Sequence, residues 1–593
     1  MKKRNSPLAT RALSLGLAIL TVASLGVLLA IWDPFGHQEP RTSAALIVAV
    51  SPGAPATDNA RGASRAVAWS ESSTAAPAGV PSSANSDSPF DSDTVGDIIG
   101  MGGSGARPAQ EPATPESESY VAAPPSTFVR TATAPLSTFS IDVDTASYTN
   151  VRRFLRDGQL PPPDAVRVEE FLNAFTYTYE EPKGEAPLAL HVETGACPWA
   201  PEHRLVHVGL QSKRVSRDER PPMNLVFLID ASGSMRPDNK LPLVKHGLAL
   251  MVGELDERDR VAIVTYASNS RVHLASTSGS NKDALLAAID ALHSGGSTNG
   301  ESGILDAYRI AEANFREDGQ NRVILATDGD FNVGITSRTA LTALIEKEAE
   351  SGVFLTVLGF GTGNLQDAAL EKLADHGNGQ YAYVDNFREA RRVFVQGLPG
   401  MLAVAAKDVK IQVEFNPLEV DAYRLVGYAN RRLAARDFND DTKDAGEVGL
   451  GHSVTALYEI IPSGRDLAKG VDPLKYQASR FAPLPAARTG ELMTLKLRWK
   501  EPDSDHSQRL DCVVRDSDSS LATTSNDFRF AAALAETGML LAHSEFAGNA
   551  TLESALALAT GAVGPDLAGE RTEFLDLVAR AKALSPKTIA SRR

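Results

Sequence analysis

Residues 224 to 402 alternate between two hydrophobic patterns. NLVFLID, RVAIVTYA, RVHLAST, RVILATDGD, VFLTVLGFG and QYAYVD are short runs, most of them apolar throughout. Between them lie LPLVKHGLALMVGEL, NKDALLAAIDALH, GILDAYRIAEANF, RTALTALIEKEAES, LQDAALEKLADH and FREARRVFVQGL, whose apolar residues recur three and four apart. A strand that is apolar on both faces has to be covered on both, and helices between successive strands supply that cover. The pattern predicts an α/β domain with a doubly wound, mainly parallel sheet. Such sheets take ligands beyond the carboxyl ends of their strands, near the point where strand order reverses.

The first of these runs ends in LVFLIDASGSM, which sets Asp230, Ser232 and Ser234 just past the strand with Gly233 between the serines. ILATDGD puts Asp328 at the end of another central strand, and the loop SGGSTNGESGI puts Thr298 ahead of a helix. Two carboxylates and three hydroxyls, with no sulfur or imidazole, are hard oxygen donors suited to Mg²⁺, with Mn²⁺ or Ca²⁺ as the alternatives, far better than to zinc. Neutral hydroxyls leave the ion residual positive charge, so a carboxylate from a partner can complete its shell.

With those residues in order, the chain resembles a von Willebrand factor type A domain carrying a metal-ion-dependent adhesion site, whose motif is Asp-x-Ser-x-Ser with a distant Thr and a distant Asp in Thr-Asp-Gly. All five positions match: Asp230, Ser232, Ser234, Thr298 and Asp328. The resemblance implies that the serines and Thr298 contact a divalent cation, and that Asp230 and Asp328 bind it directly or through water. Gly233 and Gly329 would let the backbone approach closely, and an acidic residue of a protein partner would supply the last ligand. It implies binding, not catalysis. The flanks STFSIDVDTASYTNVRRFL and FNDDTKDAGEVGLGHSVTALYEI resemble the N-terminal extension and the C-terminal domain of unknown function of a bacterial, envelope-associated family of such proteins.

Outside the central unit the reading is coarser. MKKRNSPLATR carries four basic residues, and residues 12–32, ALSLGLAILTVASLGVLLAIW, carry no charge. Twenty-one such residues reach roughly 30 Å as a helix, one bilayer core. The segment reads as an uncleaved signal-anchor, with a cleaved signal peptide as the alternative. The basic tail 1–11 then stays cytoplasmic and the folded part lies outside, periplasmic or on the cell surface. Residues 33–135, rich in Ala, Pro, Ser, Thr and Gly, read as a disordered tether. Residues 136–223 form an N-terminal associated region, 224–402 the type A domain, and 403–593 a β-rich domain with a helical end. Because strand-like runs flank the α/β unit on both sides, residues 185–215 are expected to pair with strands after 405, which makes the unit an insertion.

Several function classes drop out. A net charge of -15 without a basic patch argues against nucleic acid. The sequence has no His-Glu-x-x-His, no Gly-x-x-x-x-Gly-Lys loop, and no nucleophile elbow, since ASGSM offers Ala and Met where an elbow needs glycines. Cys197 and Cys512 fall in predicted strands, and whether they bridge stays open. The acidic stretch with Asp437, Asn439, Asp440, Asp441 and Asp444 lacks the Gly and Glu of an EF-hand loop and reads as a solvated turn. Asp142 and Asp144 read as caps of the helix that follows them.

Overall fold

The computed structural model describes residues 46–49, 118, 120, 124–141, 144–297, 300–329, 338–362, 366–397, 404–443, 445–464, 484–502 and 504–585. Ahead of the α/β unit come β1 (Leu46–Ala49), β2 (Val129–Arg130), β3 (Leu136–Ser140), β4 (Leu188–Ala196) and β5 (Arg204–Ser212), with α1 (Ala146–Arg156) and α2 (Val168–Asn173) after β3. The unit contributes β6 (Met223–Asp230), β7 (Arg260–Tyr266), β8 (Ser270–Ser278), β9 (Gln320–Thr327), β10 (Val353–Phe360) and β11 (Tyr381–Val384). Its helices are α3 (Leu241–Glu254), α4 (Lys282–Asp290), α5 (Glu301–Ala313), α6 (Arg338–Glu350), α7 (Asp367–His376) and α8 (Phe387–Arg391). Then follow β12 (Val404–Phe415), β13 (Val420–Leu425), β14 (Arg432–Leu433), β15 (Val448–Gly449), β16 (Ser453–Pro462), β17 (Glu491–Lys500) and β18 (Ser507–Arg515). Helices α9 (Asn526–Leu541), α10 (Leu552–Thr560) and α11 (Glu570–Leu584) end the described chain.

The α/β sheet has the order β11-β10-β9-β6-β7-β8. Every neighbouring pair is parallel except β7 with the edge strand β8. Successive side chains of β6 point to opposite faces, and both faces are buried. Leu225, Phe227 and Ile229 pack with Leu248, Met251 and Phe394 on one side, while Val226 and Leu228 pack with Ile304, Tyr308 and Leu341 on the other. From β6 the chain proceeds outward to β7 and β8, then returns to β9 on the other flank of β6. The order therefore reverses between β6 and β9, whose carboxyl ends carry Asp230 and Asp328.

The other two sheets face each other across a single core, in which Leu190, Val208 and Tyr458 meet Ile411, Leu495 and Trp499. Antiparallel pairing of β5 with β16 and of β3 with β12 joins segments from before and after the α/β unit, which is thus inserted between β5 and β12. A further core unites α1 and α2 with the C-terminal helices, Tyr148, Phe171 and Phe175 packing with Phe530 and Phe574. The α/β unit is fastened to this frame by buried ion pairs. Arg152 reaches Asp385 at 2.5 Å and Glu389 at 2.8 Å. Arg167 holds Glu170, Asp367 at 2.6 Å and Glu371 at 3.5 Å.

Some sequence expectations need correction. The tether read over 33–135 includes ordered pieces: β1 pairs with β4, β2 pairs with β13, and Glu118 accepts from Arg153 at 2.7 Å. Short edge strands are held by backbone hydrogen bonds and need no apolar period, so composition does not reveal them. Asp144 does not cap α1. Its Oδ1 accepts from the Tyr381 N–H at 2.9 Å and its Oδ2 pairs with Arg431 at 3.2 Å, pinning the flanking region to β11; Asp142 lies outside the described residues. Cys197 and Cys512 are buried free thiols, one in the helical core and the other in the sandwich core. The acidic stretch, by contrast, is a set of turns as expected, with Asp440 accepting from Thr442 and Asp441 from Arg498; Asp444 lies outside the described residues. Residues 12–32 also lie outside them, and among the described residues no helix is long and apolar enough to cross a membrane.

Candidate metal centre

Parallel register places the two acids side by side. Ile229 of β6 is opposite Ala326 of β9, so Asp230, one residue past that pair, and Asp328, two residues past it and just beyond the end of β9, both emerge at the carboxyl edge. On the other flank Asp230 is opposite Tyr266 of β7, whose carbonyl accepts from the Ala231 N–H at 2.8 Å. The chain then turns through a short 3₁₀ segment, Gly233–Met235, anchored by the wholly buried Met235.

This turn is stitched to the loop ahead of α5. Gly233 N–H donates to the Gly296 carbonyl at 3.0 Å, and Gly295 N–H donates back to the Ala231 carbonyl at 2.7 Å. Gly296 adopts φ +92, and a Cβ there would stand 2.8 Å from Ser268 Oγ, so the crossing requires glycine. Residues 295–297 are thereby held beside the Asp-x-Ser-x-Ser turn, while Thr298 itself lies outside the described residues.

Within the turn Asp230 Oδ1 accepts from the Ser232 N–H at 2.8 Å, and the Ser232 and Ser234 hydroxyls lie 2.9 Å apart. Asp230, Ser232 and Asp328 are buried, whereas Ser234 is exposed. The cluster thus has a carboxylate floor and a hydroxyl on its solvent side. Asp328 Oδ2 accepts from Lys240 Nζ at 2.9 Å. The remaining oxygens, Asp230 Oδ2 and Asp328 Oδ1, are buried without a geometrically satisfied hydrogen bond among the described residues. Burial pushes the Asp230 carboxyl up to about 6, opposed by its bonds from Ser232 and reinforced by the charge of Asp328. Tyr266 stands beside both acids, and burial together with their charge holds its phenol far above the ordinary value.

A buried carboxylate oxygen without a donor costs a few kcal/mol unless something positive meets it. Two such oxygens from adjacent strands, with two hydroxyls above them, form an oxygen-only donor set that fits a hard divalent cation. Four of the five residues singled out in the sequence, Asp230, Ser232, Ser234 and Asp328, are brought to this one edge. The sequence reading missed Lys240. A lysine in a polar loop looks like any solvated lysine, and only the tertiary fold turns it inward.

A doubly wound sheet with this acid-and-serine turn at its switch point defines a von Willebrand factor type A domain, and residues 224–396 match that domain family. The flanks match too: residues 114–207 match a family described as von Willebrand factor, and 400–584 match the C-terminal region of uncharacterized protein YfbK. Over 451 residues the chain is 43% identical to uncharacterized protein YfbK of Escherichia coli (strain K12), covering 75% of this chain and 77% of that one. The chain belongs to that family. Uncharacterized protein sll0103 of Synechocystis is 27% identical over 214 residues, 36% of this chain and 50% of that one. Among solved structures, a von Willebrand factor type A protein from Catenulispora acidiphila aligns at 16% identity over 65% of this chain and 89% of its own, with a TM-score of 0.35. The fold rests on the strand order above rather than on that superposition.

Proposed function

We propose that the type A domain binds a divalent cation, Mg²⁺ in the first instance, and through it an acidic group of a protein partner, without catalysis. The observation that carries this reading is the pair of buried carboxylates, whose Asp230 Oδ2 and Asp328 Oδ1 have no geometrically satisfied hydrogen bond among the described residues, although the Tyr266 phenol stands beside Asp230. Ser232, Ser234 and Thr298 would supply neutral ligands, leaving the ion the positive charge that an incoming carboxylate needs. The segment 12–32 would tether the chain to the membrane, with the folded part extracytoplasmic. Calorimetric titration of Mg²⁺ or Mn²⁺ into the full chain and into Asp328→Ala tests the reading. Binding by the first and none by the second is expected; equal binding by both, or none by either, ends it.

The ion-paired seat of the α/β unit on its frame favours a second reading, in which the cation only stabilises the domain within an envelope assembly. Chelation would then lower the melting temperature without releasing a partner captured by crosslinking from membranes.

A further inference from the structure

Lys240 is held at the metal centre by more than its ion pair. Its backbone belongs to the start of α3, where its N–H donates to the Pro237 carbonyl and its carbonyl accepts from the Val244 N–H, both at 3.0 Å. From there the side chain runs inward to put Nζ 2.9 Å from Asp328 Oδ2, with only 9% of the lysine side chain and 1% of the aspartate side chain exposed. The stem crosses Gly361, just beyond β10. A Cβ at 361 would stand 2.2 Å from Lys240 Cε and 2.5 Å from Cγ, and the residue has φ +76, so glycine is required there on two counts. The Gly361 carbonyl is in turn fixed by the Tyr383 hydroxyl at 2.6 Å. A lysine serving only solubility needs no such channel.

We propose that Lys240 is the resident counter-cation of this centre, stabilising its metal-free form and setting its affinity for the divalent ion below what two acids alone would give. The inference rests on the cation reading above. With both acids ionised, the ammonium reduces the fixed charge of the cluster from two negative to one. A divalent ion is then drawn by less net charge, which is the lysine's own repulsion expressed at the cluster. By donating to Oδ2 of Asp328, the lysine leaves Oδ1 as the oxygen of that acid without a bond and open to the ion, so it is a positioning residue as well as a charge. Removing it leaves a buried carboxylate without its partner, which is costly in the metal-free protein and compensated only when metal binds.

The test uses the full chain and its Lys240→Met and Lys240→Gln variants, the glutamine version keeping a hydrogen-bond donor should the methionine version fail to fold. Melting in chelator and calorimetric titration with Mn²⁺ are the two measurements. Expected are a lower melting temperature in chelator and Mn²⁺ affinity raised by about tenfold or more. A folded Lys240→Gln variant that binds Mn²⁺ no more tightly than the parent overturns the proposal. If the parent shows no binding and Lys240→Gln binds, the counter-cation stands and the parent's metal-dependent function falls. If neither binds, both fall.

Discussion

Where α1 and α2 meet the α/β unit, buried carboxylates are densely ion-paired; at the carboxyl edge of the same unit they are not. Asp385 and Glu389 share Arg152, Asp367 and Glu371 share Arg167, and Glu371 and Asp375 also face Arg431. Burial alone would raise Glu389, yet Arg392 and Arg152 beside it hold its carboxyl below the ordinary range. Asp230 and Asp328 have one lysine between them, and each keeps an oxygen without a satisfied donor. The arginine-rich contact is complete as it stands and acts as a fastening. The strand-end pair is incomplete as protein, and its incompleteness is what a cation would satisfy. A third case, Glu536 in α9, is 1% exposed with Oε2 lacking a hydrogen-bond partner among the described residues.

These three environments should respond differently to substitution. The largest effect is expected from Arg167→Met, which strips a guanidinium from three buried acids and should cost about 3–5 kcal/mol. Denaturant unfolding followed by fluorescence reads it, and a shift within error of the parent would show that the contact is not a fastening.

Next comes Glu536→Gln. Burial pushes the Glu536 carboxyl from 4.5 up to about 7. The folded state therefore binds the proton more tightly than the unfolded state. Its stability contribution is full below about pH 4.5 and is lost as pH rises through about 7. The variant should match the parent near pH 4 and exceed it at pH 8 by up to about 3 kcal/mol. Equal pH profiles of melting for the two proteins would contradict this.

The smallest effect is expected from Asp230→Asn, which removes an incomplete acid rather than a paired one. In chelator at about pH 4.5, where the raised Asp230 carboxyl is still protonated in the folded state, it should leave stability unchanged or raise it by about 1 kcal/mol, and at neutral pH it should abolish any stabilisation by Mn²⁺. Destabilisation in chelator as large as that of Arg167→Met would erase the distinction between the two regions.

Much of the centre was legible because its signals are local. An apolar run such as NLVFLID declares a strand buried on both faces, and Asp-x-Ser-x-Ser directly after it lies on the ligand edge of any such sheet. The Thr-Asp-Gly at 327–329 carries the same information for β9. Lys240 and Gly361 were not legible, since they lie far apart in sequence and their meaning arises only when the lysine stem crosses the glycine. Asp144 was misread for the same reason: beside a helix start it resembles a cap, and its partners Tyr381 and Arg431 come from distant segments.

The sequence by itself determined the elements of the α/β unit, their mainly parallel sense, and the residue types at their carboxyl edge. Periodicity and burial act over a few residues, and a chain cannot evade them. Tertiary structure alone decided which acids end up paired and which stay incomplete, that the first and last helices share one core, and that a lysine from the start of α3 enters the centre. Those outcomes depend on distances between segments far apart in sequence, from 88 residues for Lys240 and Asp328 upward, which sheet registry and core packing set and no local pattern encodes.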